Sequence, residues 1–178
     1  MLKRTCIPLL ALLTLLAPAA ASARPQRTPH AKGASSLRAL LRSRELWATI
    51  DVCNTAKQPD TVGVRGSMPG DGHAHDQMSM SFHLEYLNAV NQWVELEGSG
   101  SSAFIAVGSA GASRQGGSSF TLKPHPDRPA YALRGIVDFR WTHGKAIVQT
   151  ARRPTTSGHE AAVGAEPKSY SAAECSVG

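Results

Sequence analysis

The segment from Gln77 to Leu87 alternates without interruption. Met78, Met80, Phe82, Leu84 and Tyr86 share one face, and Gln77, Ser79, Ser81, His83 and Glu85 share the other. Period two over this length is incompatible with a helix and requires a sheet with one face in a core and one in water. The same signature recurs along the chain. Leu46, Ala48, Ile50 and Val52 line one side of the stretch Leu46–Cys53, and Val62 and Val64 line one face of Thr61–Met68. From Ala130 to Thr142, Tyr131, Leu133, Val137, Phe139 and Trp141 point inward, while Arg134, Asp138 and Arg140 point outward. Gly135 falls on the inward face, where a large side chain opposite could sit. Shorter strands are expected at Gln92–Glu97, Ala103–Gly108, Ser119–Leu122, Ala146–Thr150 and Ser169–Val177. Turn chemistry separates these runs at Asn54–Asp60, Pro69–Gly72, Asn88–Asn91 and His143-Gly144-Lys145. Three further stretches read as loops: the Gly- and Ser-rich run 109–118, the proline-containing run 123–129 and the polar run 152–168. About nine short strands with turns between them predict an all-β domain, an antiparallel sandwich or barrel.

The N-terminus has a different character. Lys3 and Arg4 precede an apolar run from Ile7 to Ala17, Pro18 ends it, and Ala21-Ser22-Ala23 follows. This is the layout of a cleavable secretory signal peptide over residues 1–23. The apolar run is about half the length that a spanning helix needs, so no membrane span is expected. Cys6 precedes that run and would leave with the signal. Cys53 and Cys175 would remain. In an oxidising compartment such a pair forms one disulfide joining the start of the domain to its end. The alternative is a thiol pair serving a metal or a redox reaction. Against it, the chain has no CxxC, and neither cysteine has a histidine close in sequence.

Charge is unevenly spread. Residues 24–44 hold six basic residues (Arg24, Arg27, Lys32, Arg38, Arg42 and Arg44) and no acid, whereas from Glu45 onward thirteen acids outnumber eleven bases. The high pI thus belongs to the leader and to a basic arm, expected to be disordered. Within the arm, Leu37, Leu40 and Leu41 have the spacing of a short helix of about two turns, marginal on its own. The body, residues 45–178, is nearly neutral, which removes the main argument for a nucleic-acid-binding domain.

The run Tyr131–Arg140, followed by Trp141, the His143-Gly144-Lys145 turn and Ala146-Ile147-Val148, resembles the late hairpin of immunoglobulin- and fibronectin-like bacterial surface domains. The segments Leu46–Asn54, Arg65–Gly72 and Ser169–Val177 are similar to those of small secreted proteins of high-GC bacteria. The resemblance covers most of residues 45–178. It implies an immunoglobulin-like β-sandwich of about seven to nine short strands and an extracytoplasmic setting. It carries over no catalytic residue. The chain departs from antibody-type domains, because Cys53 lies on the first strand and no tryptophan follows it at the usual core position.

The sharpest candidate for chemistry is His73-Ala74-His75-Asp76, with Met78, Met80 and His83 close behind. Imidazole suits zinc and copper, and thioether suits copper(I). Strand alternation, however, sends Met78 and Met80 to the core and His83 to the other side, leaving His73, His75 and Asp76 as the candidate ligands. His125, His143 and His159 sit beside turns or in a loop and read as solvated. Glu95 and Glu97 share a strand face, without the contrasting environments that an acid/base pair needs. The Gly-rich run near Gly108–Gly117 precedes a strand, so it lacks the helix N-terminus that a phosphate loop uses. Trp47 and Trp93 could be exposed and offer a carbohydrate strip, although core or rim packing is the favoured reading for both; Trp141 is in phase with the core. The sequence therefore points to a secreted, non-catalytic binding or structural module at the cell envelope, with no cofactor. Its partners could be an envelope polymer, met by the basic arm, or another extracellular protein. The alternative is an extracytoplasmic copper- or zinc-binding protein.

Overall fold

A computed structural model describes residues 37–98, 100–123 and 129–178. The expected signal peptide, and the arm up to residue 36, lie outside the described residues, as does His125. The described chain is all-β, with nine antiparallel strands in two sheets, one of them curled into a half-barrel. The strands are β1 (Trp47–Cys53), β2 (Thr61–Met68), β3 (Gln77–Leu87), β4 (Trp93–Glu95), β5 (Ile105–Ser109), β6 (Arg114–Thr121), β7 (Tyr131–His143), β8 (Ala146–Pro154) and β9 (Glu174–Val177). The smaller sheet has the order β1-β2-β6. The larger runs β4-β3-β7-β8, with β5 also on β3 and β9 also on β7.

At the centre of the larger sheet the inward faces of β3 and β7 are buried as their pattern demands, whereas the outward faces are only partly in water, with Ser81 and Ile136 buried. Met78, Met80, Phe82 and Leu84 of β3 are fully buried, as are Val137, Phe139 and Trp141 of β7. These side chains meet Ile50, Val62, Val64 and Met68 of the smaller sheet in one core. The two sheets interlock through glycines. A Cβ on Gly135 of β7 would lie 2.7 Å from both methyls of Val64 on β2. A Cβ on Gly66 of β2 would meet Val137, Met80 and Phe139 at 3.0–3.1 Å. A residue without a side chain in each sheet thus receives the bulk of the other.

Strand β1 departs from its expected one-sided pattern. Thr49 and Asp51, on the side away from Ile50, are buried as well. The cause is the segment 155–173, expected as part loop and part strand, which lies along the free edge of β1. Thr156 N donates to Ala48 O (2.8 Å), Ala172 and Ile50 exchange two backbone bonds (2.9 and 3.0 Å), and Glu166 N donates to Asp51 O (2.8 Å). This covers an edge that would otherwise be open to pairing with another chain. The expected last strand therefore shortens to β9, and Ser169 adopts a positive φ of 66°.

Two other boundaries differ. Strand β6 begins at Arg114, inside a run expected as loop. Gly116 and Gly117 are required there by close neighbours: a Cβ would come within 2.7 Å of Val107 Cγ1 and 2.8 Å of Arg65 Cζ, respectively. Strand β8 continues to Pro154, with Arg152 paired to Asp138 of β7 at 3.4 Å. The short helix is present at residues 37–41. It is docked, with Leu40 in the core and Leu37 and Leu41 packed against it, so the body begins before Glu45.

Cys53 and Cys175 form the expected disulfide across 122 residues, linking β1 of one sheet to β9 of the other. A structural disulfide of this kind belongs to an oxidising compartment. Among the described residues, no helix is long and apolar enough to cross a membrane.

Candidate functional site

The loop from Pro69 to Asp76 joins the two sheets. Its first residue is anchored by Trp141, whose indole Nε1 donates to Pro69 O at 3.0 Å. Its last precedes β3, whose Gln77 pairs with Thr142 of β7. That register sets Asp76 beside His143, at the start of the β7–β8 turn.

Three side chains of this region converge. Ligand atoms of Asp71, His73 and Asp76 all lie within 4.8 Å of one another. His73 Nδ1 stands 3.4 Å from Asp71 Oδ1. His143 Nδ1 is 2.6 Å from Asp76 Oδ1, a hydrogen bond in which the ring nitrogen donates. Asp76 is buried, whereas His73 and His143 are mostly exposed. The hydrogen bond from His143 holds the Asp76 carboxyl below the usual range, against the opposing effect of burial. The backbone of the loop is set locally: Asp71 Oδ1 accepts from His73 N (2.8 Å), and Asp76 N donates to His73 O (3.1 Å).

This assembly differs from the expected ligand set in two ways. His75 is exposed and lies outside the group, while Asp71, expected only as a turn residue, is inside it. His143 is solvent-exposed, as expected of a turn residue, and its ring is in addition hydrogen-bonded to Asp76. Met78 and Met80 are fully buried and face the core.

His83 belongs elsewhere. On the outward face of the larger sheet its Nδ1 lies 3.2 Å from Glu95 Oε1 and its Nε2 lies 3.1 Å from Asp138 Oδ2. Asp138 also meets Arg152 (3.4 Å), and Glu85 meets Arg134 (2.6 Å), whose guanidinium sits 4.5 Å over the Trp93 ring. These cross-strand pairs tie β4, β3, β7 and β8 together. They also account for Trp93 and Glu95; Glu97 falls beyond the end of β4.

Asp51 is the deepest carboxylate among the described residues. Burial pushes its pKa up, although Arg65 Nε donates to Oδ2 at 2.9 Å. Trp47 is half-buried and stacks on His159, with ring centroids 4.5 Å apart and planes 9° apart. Its partial burial against a neighbouring ring fits the rim packing expected of a residue out of phase with Ile50 and Val52. Its partner is not legible in the sequence, because His159 lies in a loop more than a hundred residues away.

No family model matches the chain, and no curated protein matches it. Among solved structures it is similar to the Pseudomonas fluorescens alkylpurine DNA glycosylase AlkC bound to DNA containing an abasic site analog, at 11% identity and a TM-score of 0.33. The match covers 62% of this chain and 29% of that one, and likeness at this level carries no argument about fold family or function.

Proposed function

We propose that this chain is a secreted, non-catalytic binding module of the cell envelope or extracellular space, built as an immunoglobulin-like β-sandwich, and that its ligand is a divalent transition-metal ion. The sandwich reading is supported by strand exchange. The chain leaves the smaller sheet after β2, returns for β6 and leaves again for β7, as in Greek-key folds. The extracytoplasmic reading is supported by the disulfide and by the leader composition of residues 1–23.

The observation that carries the metal reading is the convergence of Asp71, His73 and Asp76, with His143 reaching in from a distant hairpin. Two carboxylates and an imidazole are a ligand set for zinc or copper(II). In a tetrahedral site with ligands at the usual zinc distances, neighbouring ligand atoms stand about 3.3 Å apart. The 3.4 Å between Asp71 Oδ1 and His73 Nδ1 matches such an edge. His143, donating to Asp76, acts as an outer partner that fixes the carboxylate.

Titration of the disulfide-bonded chain with zinc and with copper(II), followed by calorimetry, tests this. Submicromolar binding is expected. His73→Ala should abolish it, His143→Ala should weaken it by about 10–100-fold, and His75→Ala should leave it unchanged. Affinity weaker than micromolar in the wild type, or equal loss in the His75 variant, overturns the assignment.

A further inference from the structure

A second site lies where the basic arm enters the fold. A groove of about 470 Å³ is lined by Arg44, Leu46, Trp47, Arg153, Thr156 and His159, together with Ala48 and Pro154. One wall is the Trp47–His159 stack. The stack is held from behind: His159 N donates to Ser171 Oγ (2.8 Å), and Ser171 Oγ is hydrogen-bonded to Thr49 Oγ1 (2.7 Å) in the interior. Thr156 Oγ1 sits 2.9 Å from His159 Nε2. Arg153 is fixed by donating to Leu41 O (2.8 Å) and Arg152 O (2.9 Å). Those partners are neutral, so its charge is not cancelled. Neither Arg153 nor Arg44 has a carboxylate partner among the described residues, and no acid lines the groove.

We propose that this groove binds an acidic saccharide, with the sugar ring against the Trp47–His159 stack and its carboxylate between Arg44 and Arg153. An aromatic wall supplies a flat apolar surface with a polar edge, suited to the face of a sugar ring. Guanidinium groups take carboxylates through paired, charge-assisted hydrogen bonds. Burial holds the imidazole of His159 below the usual histidine range, so the stack stays neutral and the arginines carry the charge. The groove shares no residue with the Asp71–His73–Asp76 cluster, so this assignment does not depend on the metal reading.

The test is a titration of the disulfide-bonded chain with a short oligomer of galacturonic acid near physiological ionic strength, followed by tryptophan fluorescence and calorimetry. A neutral glucose oligomer of equal length is the control. Saturable binding of the acidic oligomer alone is expected. Arg44→Ala/Arg153→Ala and Trp47→Ala should each weaken it about tenfold or more, while Trp47→Phe, which keeps a ring and protects the fold, should remain within a few-fold of wild type. Arg38→Ala/Arg42→Ala removes equal charge from the arm outside the groove and should change little. Three results overturn the proposal: no binding at millimolar oligomer, equal binding of the neutral oligomer, or equal loss in the two arginine pairs.

Discussion

The contact between Gly135 and Val64 offers a direct test of how the two sheets meet. Replacing Gly135 with alanine places a Cβ 2.7 Å from both Val64 methyls and 2.8 Å from Thr155 Cγ2. The interior there is closed, since Val64 is fully buried and Thr155 nearly so. Overpacking of this kind costs about 1–3 kcal/mol. Loss of unfolded-chain freedom returns about 0.4–1 kcal/mol, because the backbone at Gly135 is not in the left-handed region. The expected net loss is about 1–2 kcal/mol. Val64→Ala removes two buried methyls and should cost about 2–3 kcal/mol, transfer and cavity together. In the double variant the new Cβ occupies the space the methyls leave. The two losses should then fall short of additive by about 1 kcal/mol or more. Urea unfolding with the disulfide intact measures all four proteins, and equal m values ensure that the same transition is compared. Additivity within about 0.5 kcal/mol, or a Gly135→Ala protein as stable as wild type, would show that β7 and β2 do not pack as described.

Other consequences follow from the buried charges and the cross-link. Replacing Cys53 and Cys175 with alanine opens a loop of 122 residues and should cost up to about 5 kcal/mol in the chain-entropy account, seen as a lower urea midpoint matching that of the reduced wild type. Arg65→Met leaves Asp51 buried without its cation and should destabilise by about 3 kcal/mol at neutral pH. Burial already raises the Asp51 pKa, so the folded state takes the proton first on acidification. The loss in Arg65→Met should therefore shrink as pH falls into the carboxylate range, and a pH-independent loss would refute the ion-pair reading. His159 has a lowered pKa, so its contribution is present above the ordinary value of about 6.5 and is lost below it, as pH falls through the lowered folded value, because the unfolded chain takes the proton first. His159→Gln should flatten that part of the stability-versus-pH curve.

What the sequence revealed depended on where the determining neighbours sit. Strands β2 and β3 match their expected bounds at both ends, because turn residues flank them and, in β3, alternation is strict. The first half of β6, from Arg114 to Ser118, was hidden because Gly116 and Gly117 carry no side chain to alternate. The reason for their presence lies in Val107 and Arg65, on neighbouring strands. The two-sided burial of β1 was equally hidden, since its cover comes from residues 155–173, placed there by backbone bonds and by the disulfide. Covalent linkage could be inferred from a count of cysteines, but the path of the polar segment it draws past β1 could not.

The candidate metal ligands show the same division more sharply. His73 and Asp76 stood out because they are close in sequence, and His75 was included for the same reason. Proximity along the chain is a poor guide in a loop, where successive side chains need not share a direction. Register is the better guide. Once β3 and β7 are known to be antiparallel partners, pairing Met80 with Phe139 and Gln77 with Thr142, the next step outward brings residue 76 to residue 143. The hydrogen bond between Asp76 and His143 is thus a consequence of how two core strands align their buried faces. A shift of one residue would turn Met78, Met80 and Phe82 toward solvent. The hydrophobic pattern that sets the fold therefore also decides which histidine reaches the loop carboxylate.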